Sequence, residues 1–245
     1  MRTFDLFSEA LAMIAAHWQR LLIVLVPLYA LQWSAVQLGE RAMSRAFDNL
    51  STFDGRMFFA FWVAGLGLIV AWSIGAALLA VLWHRLVLHA QKVWPPLSAF
   101  GWYLWQAFKL SLLIALFSWG LFALVSMIMA TAPFVFFDLF WAIALAIHVL
   151  MTWLWLRFGL ILPAAALGDD EMTMLTSWFE TEGAAWPIFA LAVVQGAMWS
   201  AINAFDAWSR WTGAQFFLWP LPMLLGLAAL SVLYRDRETI TPTDT

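Results

Sequence analysis

The stretch "LSLLIALFSWGLFALVSMIMA", residues 110–130, runs for 21 residues without a charged side chain. A helix of this length covers about 30 Å at ~1.5 Å per residue, which is the thickness of the hydrocarbon core of a bilayer. Backbone polar groups in lipid have to be satisfied inside the segment, so a helix is the expected structure. The stretch therefore predicts a transmembrane helix, and similar stretches recur along the chain.

The composition points to the same class of protein. Of 245 residues, 64% are hydrophobic and 11% are charged, whereas soluble domains average about 45–50% and about 25%. The net charge is −3 and no basic run is present, so nucleic acid is not an expected partner. Cysteine is absent, which excludes disulfides and thiolate metal sites. We expect no cofactor and no metal.

Six apolar stretches predict an all-α, polytopic membrane protein with a single membrane domain over residues 1–245. The predicted spans are about 21–38, 57–83, 110–130, 135–156, 186–205 and 216–234, followed by a tail at 235–245. Arg2 is followed by the acids Asp5 and Glu9, and no small-residue cleavage site follows the first apolar run. That run is expected to be a retained span rather than a signal peptide.

Lysine and arginine are unevenly divided between the two sides that six spans would define. Eight lie on the side of both termini, and four lie on the other side. The eight are Arg2, Arg20, Arg85, Lys92, Lys109, Arg157, Arg235 and Arg237, and the four are Arg41, Arg45, Arg56 and Arg210. The positive-inside rule predicts an inner-membrane protein with both termini in the cytoplasm.

Three shorter stretches carry an apolar stripe at helical spacing, and each precedes an odd-numbered span. They lie at 4–18, 97–108 and 174–179. Amphipathic helices of this kind, with Trp and Phe on one face, are expected to lie in the membrane interface. The chain is thus predicted to hold about three interfacial helices besides its six spans.

The order of helix, span, span suggests a threefold internal repeat, because the even-numbered spans end alike. The endings are "VLWHR" at 81–85, "WLWLR" at 153–157 and "SVLYR" at 231–235. The alternative is that any helix leaving toward the cytoplasm ends in an aromatic residue and an arginine that reaches the headgroups. The predicted interfacial anchors are Trp18, Trp83, Arg85, Trp105, Arg157, Trp178 and Arg235.

The link between the fourth and fifth spans concentrates acids, with Asp169, Asp170 and Glu171 in succession. Gly168 is expected to end the preceding helix, and the acids then favour the positive end of the next helix dipole. Thr173 with Thr176, or Ser177 with Glu180, would cap that helix. The acids therefore need no substrate to explain them.

The same link carries a resemblance, on Leu162-Pro163, Gly168, Met172-Thr173, Ser177-Trp178, Thr181, Gly183 and Trp186, together with Trp83-His84-Arg85. These positions resemble the pattern of a group of six-span bacterial inner-membrane proteins. That group is similar to the membrane domain attached to some glycerophosphoryl diester phosphodiesterases. Glu182, Ala184 and Pro187 depart from the pattern. The resemblance implies a helical, bacterial, inner-membrane protein, and it implies no catalytic residue here.

Polar residues within the spans are candidates for a transport path, since charge in lipid is costly. The candidates are Asp138, His148, Asn203 and Asp206. His148 could relay a proton or hydrogen-bond a neighbouring helix. Asn203 and Asp206, with Gln195 on the same side, could line a wet groove or bond between helices, and Gln32 has the same two interpretations.

Small residues on the second span form a strip that includes Gly65, Gly67 and Gly75. Such strips let helices approach closely, within one chain or between subunits. No catalytic constellation is evident. We therefore expect a non-enzymatic accessory, assembly or membrane-organising subunit whose partners are membrane lipids and other membrane protein subunits. The alternative is a small transporter or lipid-handling protein.

Overall fold

The computed structural model describes residues 3–48, 55–88, 93–131, 140–209 and 218–237. Within these ranges all regular structure is helical, which confirms the all-α membrane architecture. The helices are α1 (Thr3–Asp48), α2 (Gly55–Val87), α3 (Leu97–Thr131), α4 (Phe140–Phe158), α5 (Ile161–Leu167), α6 (Met174–Glu180), α7 (Ala185–Ser209) and α8 (Pro220–Arg235). A short 3-10 turn, Glu182–Ala184, precedes α7.

The number of helices that could cross a membrane is three to five. Gly65–Val87, Leu97–Ile128 and Glu182–Phe205 are each long and apolar enough, and two bent pairs bring the number to five. The bent pairs are Phe4–Ile23 with Val26–Gly39 and Ala142–Phe158 with Ile161–Leu167. The predicted sixth span corresponds to α8, whose 16 residues cover only about 24 Å.

Two of the predicted interfacial helices are continuous with the spans that follow them. The stretch 4–18 is the first arm of α1, which bends by 61° between Ile23 and Val26. Pro27 lies inside this helix, and proline is a common cause of such kinks. The stretch 97–108 continues without a break into α3, since neither Gly nor Pro lies between Trp102 and Phe117.

The third amphipathic stretch forms a separate helix, α6, as predicted. Gly168 ends α5 in the left-handed region, at φ 90°, and the Thr173 side chain accepts a hydrogen bond from the Thr176 backbone N–H. Both results confirm the sequence interpretation of this link. A glycine is required at 168 because other side chains rarely adopt a positive φ.

The packed core lies toward one end of the bundle. Buried residues concentrate in the last third of α2, in α5 and in α8. In α3, by contrast, Leu110 is fully buried, whereas no residue from 111 to 128 is buried. The buried end is where α2, α4 and α8 finish. Arg85, Arg157 and Arg235 lie in the last turns of these helices, and we call this end the helix-end face.

Candidate functional site

The helix-end face brings together the three aromatic–arginine endings that the sequence singled out. Trp83 is fully buried, and Arg85 and Arg157 are 9% and 3% exposed. These three residues therefore pack against protein, which differs from the expectation that they anchor the chain in the lipid interface. The reason is that the surrounding helix ends supply backbone carbonyl groups that arginine can bind without leaving the protein.

Arg85 caps the end of α5. Its Nη1 donates to the carbonyl oxygen of Ala166 over 2.7 Å. The last four carbonyl groups of a helix have no partner within the helix, and a cation there also complements the negative end of the dipole. Arg85 thus ties the end of α2 to the end of α5.

Arg157 caps the end of α6 in the same way. Its Nη1 donates to the carbonyl oxygen of Thr181 over 2.6 Å, and its guanidinium carbon lies 4.2 Å from the centre of the Trp178 ring. The Ser177 hydroxyl donates to the carbonyl oxygen of Arg157 over 2.8 Å. The same hydroxyl oxygen accepts from the backbone N–H of Leu160. These bonds fix α6 against the end of α4.

Several residues that carried the family resemblance lie together around Arg157. Ser177, Trp178 and Thr181 all contact Arg157 or its backbone. Ser177 and Thr181 are fully buried. Both hydroxyl groups donate to backbone carbonyl groups in this structure.

His84 and Ser231 form a buried pair between α2 and α8. The Ser231 hydroxyl donates to the carbonyl oxygen of Leu227 over 2.9 Å. Its oxygen is therefore the acceptor for Nδ1 of His84, 2.9 Å away. A serine whose proton is committed to a carbonyl group is not an activated nucleophile, so this pair joins two helices rather than forming a catalytic dyad.

Asp169, in the link between α5 and α6, binds two residues at the C-terminal end of the described chain. Asp169 Oδ2 accepts from the Tyr234 hydroxyl over 3.0 Å and from Arg237 Nη1 over 3.1 Å. Burial alone would raise the pKa of the Asp169 carboxyl, but these hydrogen bonds and that from the Glu171 backbone outweigh it, and the pKa is lowered. Sequence spacing could not reveal this contact, because 65 and 68 positions separate the partners.

Arg235, the third ending, is exposed and forms an ion pair with Glu9 on α1 at 2.5 Å. The three endings therefore contact successive amphipathic stretches. The ring centres of His84 and Tyr103, on α3, are 6.3 Å apart. Arg157 binds Thr181 at the end of α6, and Arg235 binds Glu9 on α1. A threefold repeat of helix, span and span would produce this cyclic order.

The other anchors and the polar-path candidates lie elsewhere. Trp18 and Trp105 are 54% and 51% exposed, and Trp178 is half-buried. His148 and Asn203 are exposed on α4 and α7, and Nδ1 of His148 lies 3.0 Å from the Ala144 carbonyl oxygen of its own helix. Asp138 and the side chain of Asp206 lie outside the described residues.

The glycine strip of α2 divides into two parts. A Cβ at Gly65 or Gly67 would meet nothing within 4 Å, whereas one at Gly75 would meet the Gln32 side chain at 3.0 Å. Gly75 therefore marks a close approach between α2 and α1, and the positions of Gly65 and Gly67 leave their face of α2 open.

Within the part of the chain that the structure describes, no three His, Asp or Glu side chains are grouped so as to hold a metal ion. No family model, curated protein or solved structure matches the chain.

Proposed function

We propose that this chain is a non-enzymatic protein of the bacterial inner membrane that serves as an accessory or membrane-organising subunit. In this proposal both termini are cytoplasmic and six segments cross the bilayer. The helix-end face would lie at the cytoplasmic surface, where most of the Lys and Arg residues are found.

The observation that carries the proposal is the exposure of α3 beyond Leu110. The apolar segment Leu97–Ile128 has 32 residues, which is about 48 Å of helix. Its outer segment, 111–128, has large apolar side chains on all sides, and none is buried. Among the most exposed are Leu116 at 65%, Trp119 at 78% and Met127 at 65%.

A second integral membrane protein is the occupant that we propose for this segment. Association of helices in lipid depends on close van der Waals packing rather than on removal of apolar surface from water. A Cβ at Gly120, on the same segment, would meet nothing within 4 Å, so a partner helix could approach the backbone there. The open positions Gly65 and Gly67 on α2 offer the same type of contact.

The helix-end face supports a structural role in a different way. Its buried cations bind backbone carbonyl groups, and its buried hydroxyl groups do the same. The Arg85 bond joins α2 to α5, and the bonds of Arg157 and Ser177 join α4 to α6. The bond between His84 and Ser231 joins α2 to α8. In this proposal the linked helix ends form the base from which α3 extends its outer segment.

Photo-crosslinking in native membranes tests the proposal. A photoreactive residue replaces Phe117 or Phe122 on α3, and Phe189 on α7, which is 39% exposed, is the control position. We expect one discrete membrane protein to be captured from the α3 positions and not from 189. Deleting the gene of the captured protein should remove the band, and Gly120→Leu should weaken it. Adducts with lipid alone at both α3 positions would contradict the proposal.

A further inference from the structure

An apolar groove runs between α1, α2 and α8 beside the bend in α1. Its volume is about 210 Å³, and its lining includes Trp18, Leu22 and Val26 of α1, Leu79 of α2 and Leu224 and Leu227 of α8. All of these side chains are aliphatic or aromatic. A groove of this character, open on the side of a membrane helix, matches the chemistry of a hydrocarbon chain.

A second, polar crevice of about 380 Å³ lies between the same three helices, closer to the helix-end face. It is lined by Glu9 and His17 of α1, Val87 of α2 and Arg235 of α8, together with further apolar residues. Val87 follows Leu79 by eight residues, and Arg235 follows Leu227 by eight. Each interval corresponds to about 12 Å along a helix, so the polar crevice lies directly beyond the apolar groove.

The charges around the polar crevice are mixed in sign. Arg235 donates through Nε and Nη2 to Asp236 and through Nη2 to Glu9, and its side chain is 49% exposed. Among the contacts of the described residues, Nη1 of Arg235 has no acceptor. Within the described part of the chain, the guanidinium group of Arg235 and the carboxylates of Glu9 and Asp236 together carry a formal charge of −1. An anionic headgroup would meet net repulsion from these groups, whereas a headgroup with its own cation would not.

We propose that the groove and the crevice together bind one zwitterionic phospholipid that carries a primary amine. An acyl chain occupies the groove, the phosphate accepts from Arg235, and the ammonium group lies against Glu9 and Asp236. Charge-assisted hydrogen bonds of this kind are the strong ones, and three ammonium protons suit two carboxylates better than a methylated amine does. The site does not depend on the partner proposed for α3.

Native mass spectrometry of the full chain in mild detergent tests the site. The protein is mixed with equal amounts of phosphatidylethanolamine, phosphatidylcholine and phosphatidylglycerol of the same acyl composition. We expect one bound phosphatidylethanolamine, favoured several-fold over the other two lipids. Leu22→Trp, which fills the groove from its rim, should reduce binding about tenfold. Leu112→Trp on α3 is the control, since Leu22 and Leu112 are 51% and 48% exposed.

Headgroup variants separate the two polar contacts. Arg235→Gln should weaken binding of all three lipids about tenfold, since it removes the phosphate donor. Glu9→Gln should abolish the preference for ethanolamine over choline while phosphatidylcholine binding is retained. Circular dichroism and gel filtration establish that each variant is folded, and Leu22→Trp, which leaves the core and the ion pairs intact, carries the test if Arg235→Gln does not fold.

Three results would overturn the assignment. The first is lipid binding that is unchanged in Leu22→Trp, and the second is a preference for the anionic lipid. The third is displacement of the lipid by glycerophosphoethanolamine, which has the headgroup but no acyl chain, because the crevice would then be a site for a free phosphate ester.

Discussion

The side chain of Gln32 lies against Gly75, and the nearest Gln32 atom is 3.0 Å from the position that a Cβ on Gly75 would take. The amide nitrogen of Gln32 donates to the carbonyl oxygen of Trp72 over 2.8 Å. The same arrangement recurs between α7 and α8, where Gln195 donates to the Pro222 carbonyl and lies against Gly226. In both helix pairs a glutamine bonds a neighbouring backbone at a point that a glycine keeps open.

Replacing either glycine should therefore cost stability, whereas replacing a glycine that faces open space should not. A Cβ at Gly226 would lie 2.6 Å from Nε2 of Gln195, so the amide would have to move away from the Pro222 carbonyl group that it binds. We expect Gly226→Ala to lower the free energy of unfolding by about 1 kcal/mol, the net contribution of one hydrogen bond. Gly67→Ala is the control, and it should be neutral or slightly stabilising because the new methyl group meets open space. Thermal unfolding in a single detergent measures both variants.

The coupling between the two residues can be measured as well. In a double-mutant cycle, Gln195→Ala with Gly226→Ala should be less destabilising than the sum of the single changes, because the shortened side chain makes room for the methyl group. Strict additivity would show that the contact between Gln195 and Gly226 is not the source of the cost.

Arg157 should not tolerate lysine. Arginine binds the Thr181 carbonyl group and stacks on Trp178 at the same time, and the ammonium group of lysine cannot do both. We expect Arg157→Lys to cost roughly 1.5–3 kcal/mol, measured as a fall in the thermal unfolding midpoint. Arg20→Lys, at an exposed position of α1, is the matched control. Equal midpoints for the two variants would contradict the role assigned to Arg157.

Much of the helical architecture follows from the sequence, because the length of an apolar stretch and the residues that end or cap a helix are local properties. Gly168 and Thr173 ended and began helices as expected, and the interhelical hydrogen bonds of Gln32 and Gln195 are one of the two interpretations that the sequence left open. The burial of Trp83 and Arg157 could not be predicted in this way. An aromatic–arginine ending suits either lipid headgroups or backbone carbonyl groups, and only the tertiary arrangement decides which group is nearer.

The first arm of α1 gives a direct test of the interfacial prediction. Its predicted stripe is divided between two environments: Phe4 and Leu11 are 83% and 45% exposed, whereas Phe7 and Ile14 are half-buried and pack against the core. Spin labels at the exposed positions Phe4 and Leu11 should therefore report contact with lipid at the depth of the headgroup region. High accessibility to water-soluble relaxing agents at both positions would show that this arm does not lie on the membrane.

The proposed topology predicts that both ends of the chain share a compartment. Reporter tags fused at Met1 and Thr245 should both report the cytoplasm, because the lysine and arginine excess of eight to four lies on that side. A tag inserted at residue 52, between α1 and α2, should report the opposite side. Tags at Met1 and Thr245 that report different compartments would require an odd number of crossings.

Low pH should weaken the attachment of the segment after α8. The pKa of Asp169 is lowered in the folded protein, so its contribution to stability is present above about pH 4, its ordinary pKa, and is lost as the pH falls through the folded pKa. The stability difference between wild type and Asp169→Asn should accordingly shrink below about pH 4.

Glu180 provides a control of opposite sign. Burial raises the pKa of its carboxyl group, Arg237 lowers it, and Asp169 raises it further. Glu180→Gln should therefore stabilise the protein near neutral pH, and that gain should disappear in acid. A difference for Asp169→Asn that stays constant from pH 6 to pH 3 would show that the carboxylate does not hold Arg237 and Tyr234 in solution.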